Sequence, residues 1–482
     1  MKVLIYNELY KIFHKKITIF FALFVLLQFV SSVVFIKLNN YYMENADKQR
    51  VSALINKHNS LGGDASKYLE HFIMERNDID TYELYKNYGR LSWQRYIIDN
   101  DASKYVSCMN FAKLKHNNEE NYNDCKQKLD ELMYKVNNYT WKDFIYEYKE
   151  DAIENLKSTK ESYDAETNID NKKYLELSMK SIQYEIDGYN YHLNNNTPID
   201  YTANSIMIDE YVSLAIEHLS VEEDEEKYRD YSDLLQKRDD ENRMYSSKYR
   251  IENKYDDITN NTAIGAFINY TCTSVSIVVL VYMIVVAGNL IADEFGKGTI
   301  KMLLIRPYKR NKILFSKYIA SIISTFLFFC FYLFVVFMAC GIAYGFRSYL
   351  TPVVIYDFSV SSIKVMNLLS FAFVNYISYI PMFLILLTLT IFLGVFVHNE
   401  AMTVGVPLVV YVVSLFLNYA SSSSYMKYFP TICWNLREFL WGGLPTFKDL
   451  TLGTSIIVCI FTIVIIFWGS FSLFKRKDIK NQ

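Results

Sequence analysis

Asn289–Lys317 reads NLIADEFGKGTIKMLLIRPYKRNKILFSK and joins two long apolar runs. It carries Lys297, Lys301, Arg306, Lys309, Arg310, Lys312 and Lys317 against only Asp293 and Glu294. A short basic loop between two apolar runs is what the positive-inside rule assigns to the cytoplasmic side of a membrane. Glu294 closes the first run, Gly298 and Thr299 offer a helix stop followed by a new start, and Pro307 breaks the chain again. Basic charge alone suits any cytoplasmic loop. The ordered series of Glu, Gly-Thr, Pro, Arg and Lys is more specific.

That series, A-x-E-x-x-x-G-T-I-K-x-L-L-x-x-P-x-x-R-x-x-I-x-x-x-K, resembles the permeases of type-2 ABC exporters. It is carried by Ala292, Glu294, Gly298, Thr299, Ile300, Lys301, Leu303, Leu304, Pro307, Arg310, Ile313 and Lys317. The resemblance covers this loop and the six-span layout, but not the region between the first two spans. It implies that the segment lies against a separate ATPase subunit and transmits the stroke of hydrolysis. On that reading the coupling residues are Glu294, Gly298, Thr299, Lys301, Arg306, Pro307, Arg310 and Lys317. Two ATPase copies would dock on 1–16 and 293–316, and a second permease copy or a paralogue would complete the pathway.

Outward from the loop, the chain divides into two compositions. Residues 37–262 hold 30 Lys/Arg and 44 Asp/Glu, whereas the long apolar runs carry almost no charge, so the whole-chain net of −2 is a cancellation and says nothing of nucleic acid. Apolar runs are read at Ile17–Ile36, Ala266–Ala292, Tyr318–Ala343, Leu368–Val397, Ala401–Asn418 and Ser455–Phe474, each near or above the ~20 residues that cross a bilayer as a helix. The sixth ends in Lys475, Arg476, Lys477 and Lys480, which keeps both termini cytoplasmic. Residues 419–453, with SSSS, Pro430, Gly442, Gly443 and Pro445, are too broken for a span and read as a re-entrant segment. The loop over 344–366 reads as external.

The first run lacks a cleavage pattern and reads as a retained anchor. Before it, residues 1–16 put Leu4, Ile5, Leu9, Ile12 and Phe13 on one helical stripe, with Lys2, Glu8, Lys11 and Lys15 on the opposite side. This is an amphipathic helix at the cytoplasmic membrane face, or a basic flank that orients the first span. The block 37–262 has one proline and apolar positions at helical spacing, such as Leu129, Leu132, Met133 and Val136, and reads as several long extracellular helices. Its many tyrosines suit a ligand-binding face, a membrane surface or an ordinary amphipathic core. Cys108 and Cys125 can pair if the block is outside.

The expected fold is therefore an all-α integral membrane protein, with six transmembrane helices and a large helical extracellular domain over 37–262. Chemistry is not expected on this chain. There is no phosphate-binding G-x-x-x-x-G-K-[ST], no nucleophile motif, no convergent Cys/His set for a metal, and no sign of a cofactor. No ionisable residue lies in the middle of an apolar run, which disfavours proton-coupled transport and charge-ringed channels. The leading expectation is an ATP-driven exporter subunit that works among membrane lipids on an unidentified cargo, such as an antimicrobial peptide, lipid or drug. The alternative is a non-transporting receptor or scaffold whose helical ectodomain binds an extracellular partner.

Overall fold

The computed structural model describes residues 1–60, 69–116, 118–222, 231–259, 261–272, 277–296, 309–397, 399–420, 427–445 and 447–476. The described chain is helical apart from one small hairpin, and it divides into two units, 1–34 with 258–482, and 35–257.

In the first unit, α1 (Lys2–Phe13) turns at His14 into α2 (Lys16–Ser60), whose apolar part runs from Lys16 to Asn39. Five further helices are long and apolar enough to cross a membrane, at Ile277–Glu294, Arg310–Tyr344, Leu368–Val397, Glu400–Leu417 and Leu452–Arg476. The chain is thus an all-α multi-pass membrane protein. The second span differs from the sequence reading. That reading starts the span at Ala266, but Ala263–Thr271 forms a separate helix, started by the Thr262 hydroxyl accepting from the Gly265 amide, and the spanning helix begins at Ile277. The third span also starts earlier than its apolar run, at Arg310, so Lys317 lies within the helix rather than before it.

Aromatic packing and close glycine crossings both build the span core. Tyr282 stacks on Phe328 at 3.9 Å, Phe21 meets Tyr282 edge-on at 5.5 Å, and the Tyr282 and Ser324 hydroxyls share a hydrogen bond of 2.7 Å. Spans two, four and five close together where side chains vanish. A Cβ at Gly288 would stand 2.9 Å from Val404 Cγ2, and one at Gly394 would stand 3.0 Å from Ile291 Cγ2. Small residues at such crossings let backbones approach in lipid, where no hydrophobic force joins one helix to another.

The loop after the third span folds into a hairpin. Val353–Asp357 (β1) pairs antiparallel with Ser362–Met366 (β2), Val353 opposite Met366. Residues 427–445, within the stretch read as re-entrant, contain a short helix, Pro430–Cys433, and a 3-10 stretch, Leu436–Gly442. The hairpin sits on this stretch. The Phe358 amide donates to the Trp441 carbonyl at 2.9 Å, and the Lys364 ammonium lies 5.3 Å from the Trp441 ring centroid while pairing with Asp357.

The second unit, 35–257, is a helical domain with its own cores. Trp141–Ala165 and Ile169–Asn195 form a long hairpin, its turn set by the Asn168 side chain accepting from the Asp170 and Asn171 amides. Many of the tyrosines are core or near-core residues with acidic partners. Tyr201 donates to Asp99 at 2.9 Å and Tyr148 donates to Asp101, both carboxylates standing on one π-helical turn, Ile98–Ala102. Burial first, and then neighbouring carboxylates including Asp209 and Asp101, push the phenols of Tyr96 and Tyr189 up to about 12. Cys108 and Cys125 form a disulfide across 17 residues of sequence.

Candidate coupling site

The described ends of the basic loop meet at a buried cluster of charges. Glu294 lies in the last turn of the second span's helix, Ile277–Gly296, and Lys317 lies two turns into the third. Lys317 is 1% exposed, Glu8 of α1 2% and Glu294 7%. The Lys317 ammonium meets the Glu294 carboxylate at 2.7 Å, the Leu290 carbonyl at 2.8 Å and the Glu8 carboxylate at 3.3 Å. The ammonium donates to the Leu290 carbonyl and to Glu8, and it holds Glu294 as an ion pair. Lys11 then bridges the other oxygens of the same two acids, 2.9 Å to Glu294 and 3.2 Å to Glu8. Beside them Lys15 pairs with Asp293 and reaches the Asn289 carbonyl at 3.4 Å.

Three lysines thus meet three acids, and the cluster carries no net charge. That balance is what permits ions at so dry a site, since an unpaired buried charge costs several kcal/mol. Lys15 and Lys317 also approach carbonyls near the C-terminal end of the second span's helix, where the backbone dipole favours cations. Burial works against the charge on Lys11 but is outweighed by the hydrogen bond and charge of Glu294, then of Glu8, so its pKa lies above the usual lysine value. Because the shift is upward, the bridge persists throughout the neutral range and is lost only as pH rises through the raised value.

Of the sequence-assigned coupling residues, Glu294 and Lys317 are brought together. Arg310 is not part of the cluster and donates instead to the Lys475 carbonyl at 3.3 Å, at the end of the sixth span. Gly298, Thr299, Lys301, Arg306 and Pro307 lie outside the described residues. The α1 reading needs correction. Its buried stripe is Leu4, Glu8 and Ile12, so Glu8 faces inward, while Val3, Tyr6, Tyr10 and Phe13 are exposed. On a helical wheel Glu8 stands between Leu4 and Ile12, four residues from each, so its position points inward; sorting by polarity alone sets it apart, because one of the lysines that neutralise it lies on another helix.

Residues 234–480, just over half of the chain, match the family described as "Protein of unknown function (DUF2705)". The chain belongs to the DUF2705 family. The DUF2705 region contains Glu294 and Lys317 but not Glu8 or Lys11, so α1 adds its half of the cluster from outside the matched residues. Among similar proteins, "Uncharacterized protein YhcI" of Bacillus subtilis (strain 168) is 25% identical over 238 residues, 48% of this chain and 74% of its own length. "Uncharacterized membrane protein YdbK" of the same organism is 28% identical over 235 residues, 46% of this chain and 85% of its own. No solved structure matches the chain.

Proposed function

We propose that this chain is the membrane permease subunit of an ATP-driven ABC exporter, working with a separate ATPase and a second permease copy or paralogue. The observation that carries the reading is the Glu294–Lys317 ion pair at 2.7 Å, which ties together the helices on either side of the basic loop. Glu8 and Lys11 fasten α1 to the same point. A push on the loop or on α1 therefore reaches two spans at once, and the Lys317 contacts with Glu8 and Glu294 are buried and little screened by salt. No bond chemistry is assigned to this chain. The resemblance of the loop sequence to type-2 ABC permeases supplies the ATPase, and Lys301, Arg306 and Arg310 supply cations for its acidic surface.

In this reading both termini are cytoplasmic and 35–257 is extracellular. The Cys108–Cys125 disulfide supports that side, because disulfides persist in oxidising compartments. A bulky or amphipathic cargo, such as an antimicrobial peptide or a lipid, suits so large an external domain. One observation favours the receptor alternative. The far halves of the Trp141–Ala165 and Ile169–Asn195 hairpin bury no residue between 153 and 185, and Ile169 and Tyr174 are strongly exposed there.

The test is co-purification with a candidate ATPase from the same genome. Wild type is expected to co-elute in detergent, and Glu294→Ala and Arg306→Glu are expected to weaken association several-fold while leaving the permease monodisperse. If wild type recruits no ATPase, or if both variants bind as well as wild type, the coupling reading is wrong and the ectodomain becomes the functional part.

A further inference from the structure

Beside the re-entrant segment lies a groove of about 420 Å³ along the sixth span. Val458, Phe461, Ile465 and Ile466 line it from the span, and Tyr428 and Pro430 from the re-entrant segment. Thr462 also lines it, but its hydroxyl donates to the Val458 carbonyl at 2.8 Å, so the polar group is spent within the helix. The lining is therefore almost wholly apolar. Val458 to Ile466 is about 12 Å of helix, most of the roughly 15 Å hydrocarbon depth of one leaflet. It begins close to Ser455, at the end of the span opposite Lys475 and Arg476. One cation stands by it. The Lys427 ammonium is 5.6 Å from the centroid of the Tyr428 ring, and a lysine stem is long enough to carry its charge toward the headgroup level.

We propose that this groove is a binding site for an anionic phospholipid of the outer leaflet. One acyl chain lies along Val458–Ile466 beneath Tyr428 and Pro430, and the headgroup phosphate meets Lys427. The apolar lining selects the tail, its length suits a single leaflet, and the Lys427 cation beside it selects the sign of the head. Occupancy would fill the space between the re-entrant segment and the sixth span with lipid, fixing the one against the other. The proposal needs that Leu452–Arg476 crosses the bilayer, and its outer-leaflet assignment rests on the proposed orientation with Lys475 and Arg476 inside. It stands whether or not an ATPase associates, and failure of one reading leaves the other intact.

The test places a benzophenone amino acid at Ile465 in the full chain, reconstituted in vesicles of equal phosphatidylglycerol and phosphatidylcholine. Illumination is followed by mass analysis of the adducts. Phosphatidylglycerol adducts are expected in roughly fivefold excess, the bias that one basic residue gives near a membrane surface. The excess should fall to near parity in Lys427→Gln and be kept in Lys427→Arg. Equal adducts from both lipids, an excess that Lys427→Gln leaves unchanged, or chain-to-chain adducts marking a second copy in the groove would each overturn the proposal.

Discussion

Lys317 is the residue on which the charge cluster depends, because it contacts Glu8, Glu294 and the Leu290 carbonyl at once. Replacing it by methionine keeps the volume but leaves two buried carboxylates with only Lys11. Breaking a buried pair in this way costs about 3–5 kcal/mol. Lys317→Met is therefore expected to lower the unfolding temperature in detergent markedly, read by intrinsic fluorescence. Adding Glu8→Gln and Glu294→Gln removes the unpaired charge and is expected to recover most of the loss. A Lys317→Met protein as stable as wild type would mean that the cluster is wet. Half of this site was legible in the sequence. Glu294 and Lys317 stand out because an ordered loop pattern frames them. Glu8 and Lys11 did not, because 283 residues separate Lys11 from Glu294 and no local pattern records such a meeting.

At the scale of elements, the informative contact is that between the hairpin and the 3-10 stretch Leu436–Gly442. Gly442 has φ +70°, and a Cβ there would stand 2.5 Å from the Ser359 amide nitrogen. Gly345 has φ +90° with nothing within 4 Å of the same position. At positive φ an alanine Cβ crowds the backbone at both positions, a cost of about 1–2 kcal/mol, but only Gly442→Ala must also push the hairpin away. Hydrogen exchange of the β2 amides is expected to rise several-fold in Gly442→Ala and to stay near wild type in Gly345→Ala. Equal exchange in both would mean that the hairpin holds without Trp441 and Gly442. The six spans were readable because length and apolarity decide membrane crossing by themselves. The hairpin was not. Val353, Val354, Ile355 and Tyr356 favour a strand, but their partner strand and the stretch they rest on are set by tertiary contact. The break after Thr271 was hidden for the opposite reason, since apolar residues continue on both sides of it.

For the whole molecule, the decisive quantity is the side of the membrane on which 35–257 lies, and the disulfide makes it measurable. Two of the chain's seven cysteines are bonded; Cys340 and Cys459 are buried in spans, Cys272 and Cys433 are buried outside them, and Cys330 is exposed on the third span. The pairing of Cys108 with Cys125 was open in the sequence, because only folded geometry brings their helices together. If the domain is external, intact cells should take up a membrane-impermeant maleimide on Cys108 and Cys125 only after an impermeant reductant is added. A bond closing a loop of 17 residues constrains the unfolded chain by about 3 kcal/mol. Cys108→Ala with Cys125→Ala should therefore unfold the domain at a visibly lower temperature, and abolish the reductant-dependent labelling. Labelling that instead requires permeabilised cells would put the domain inside. The receptor reading and the outer-surface cargo would fall with it, while the Glu294–Lys317 clamp, which lies wholly in the other unit, would keep its argument.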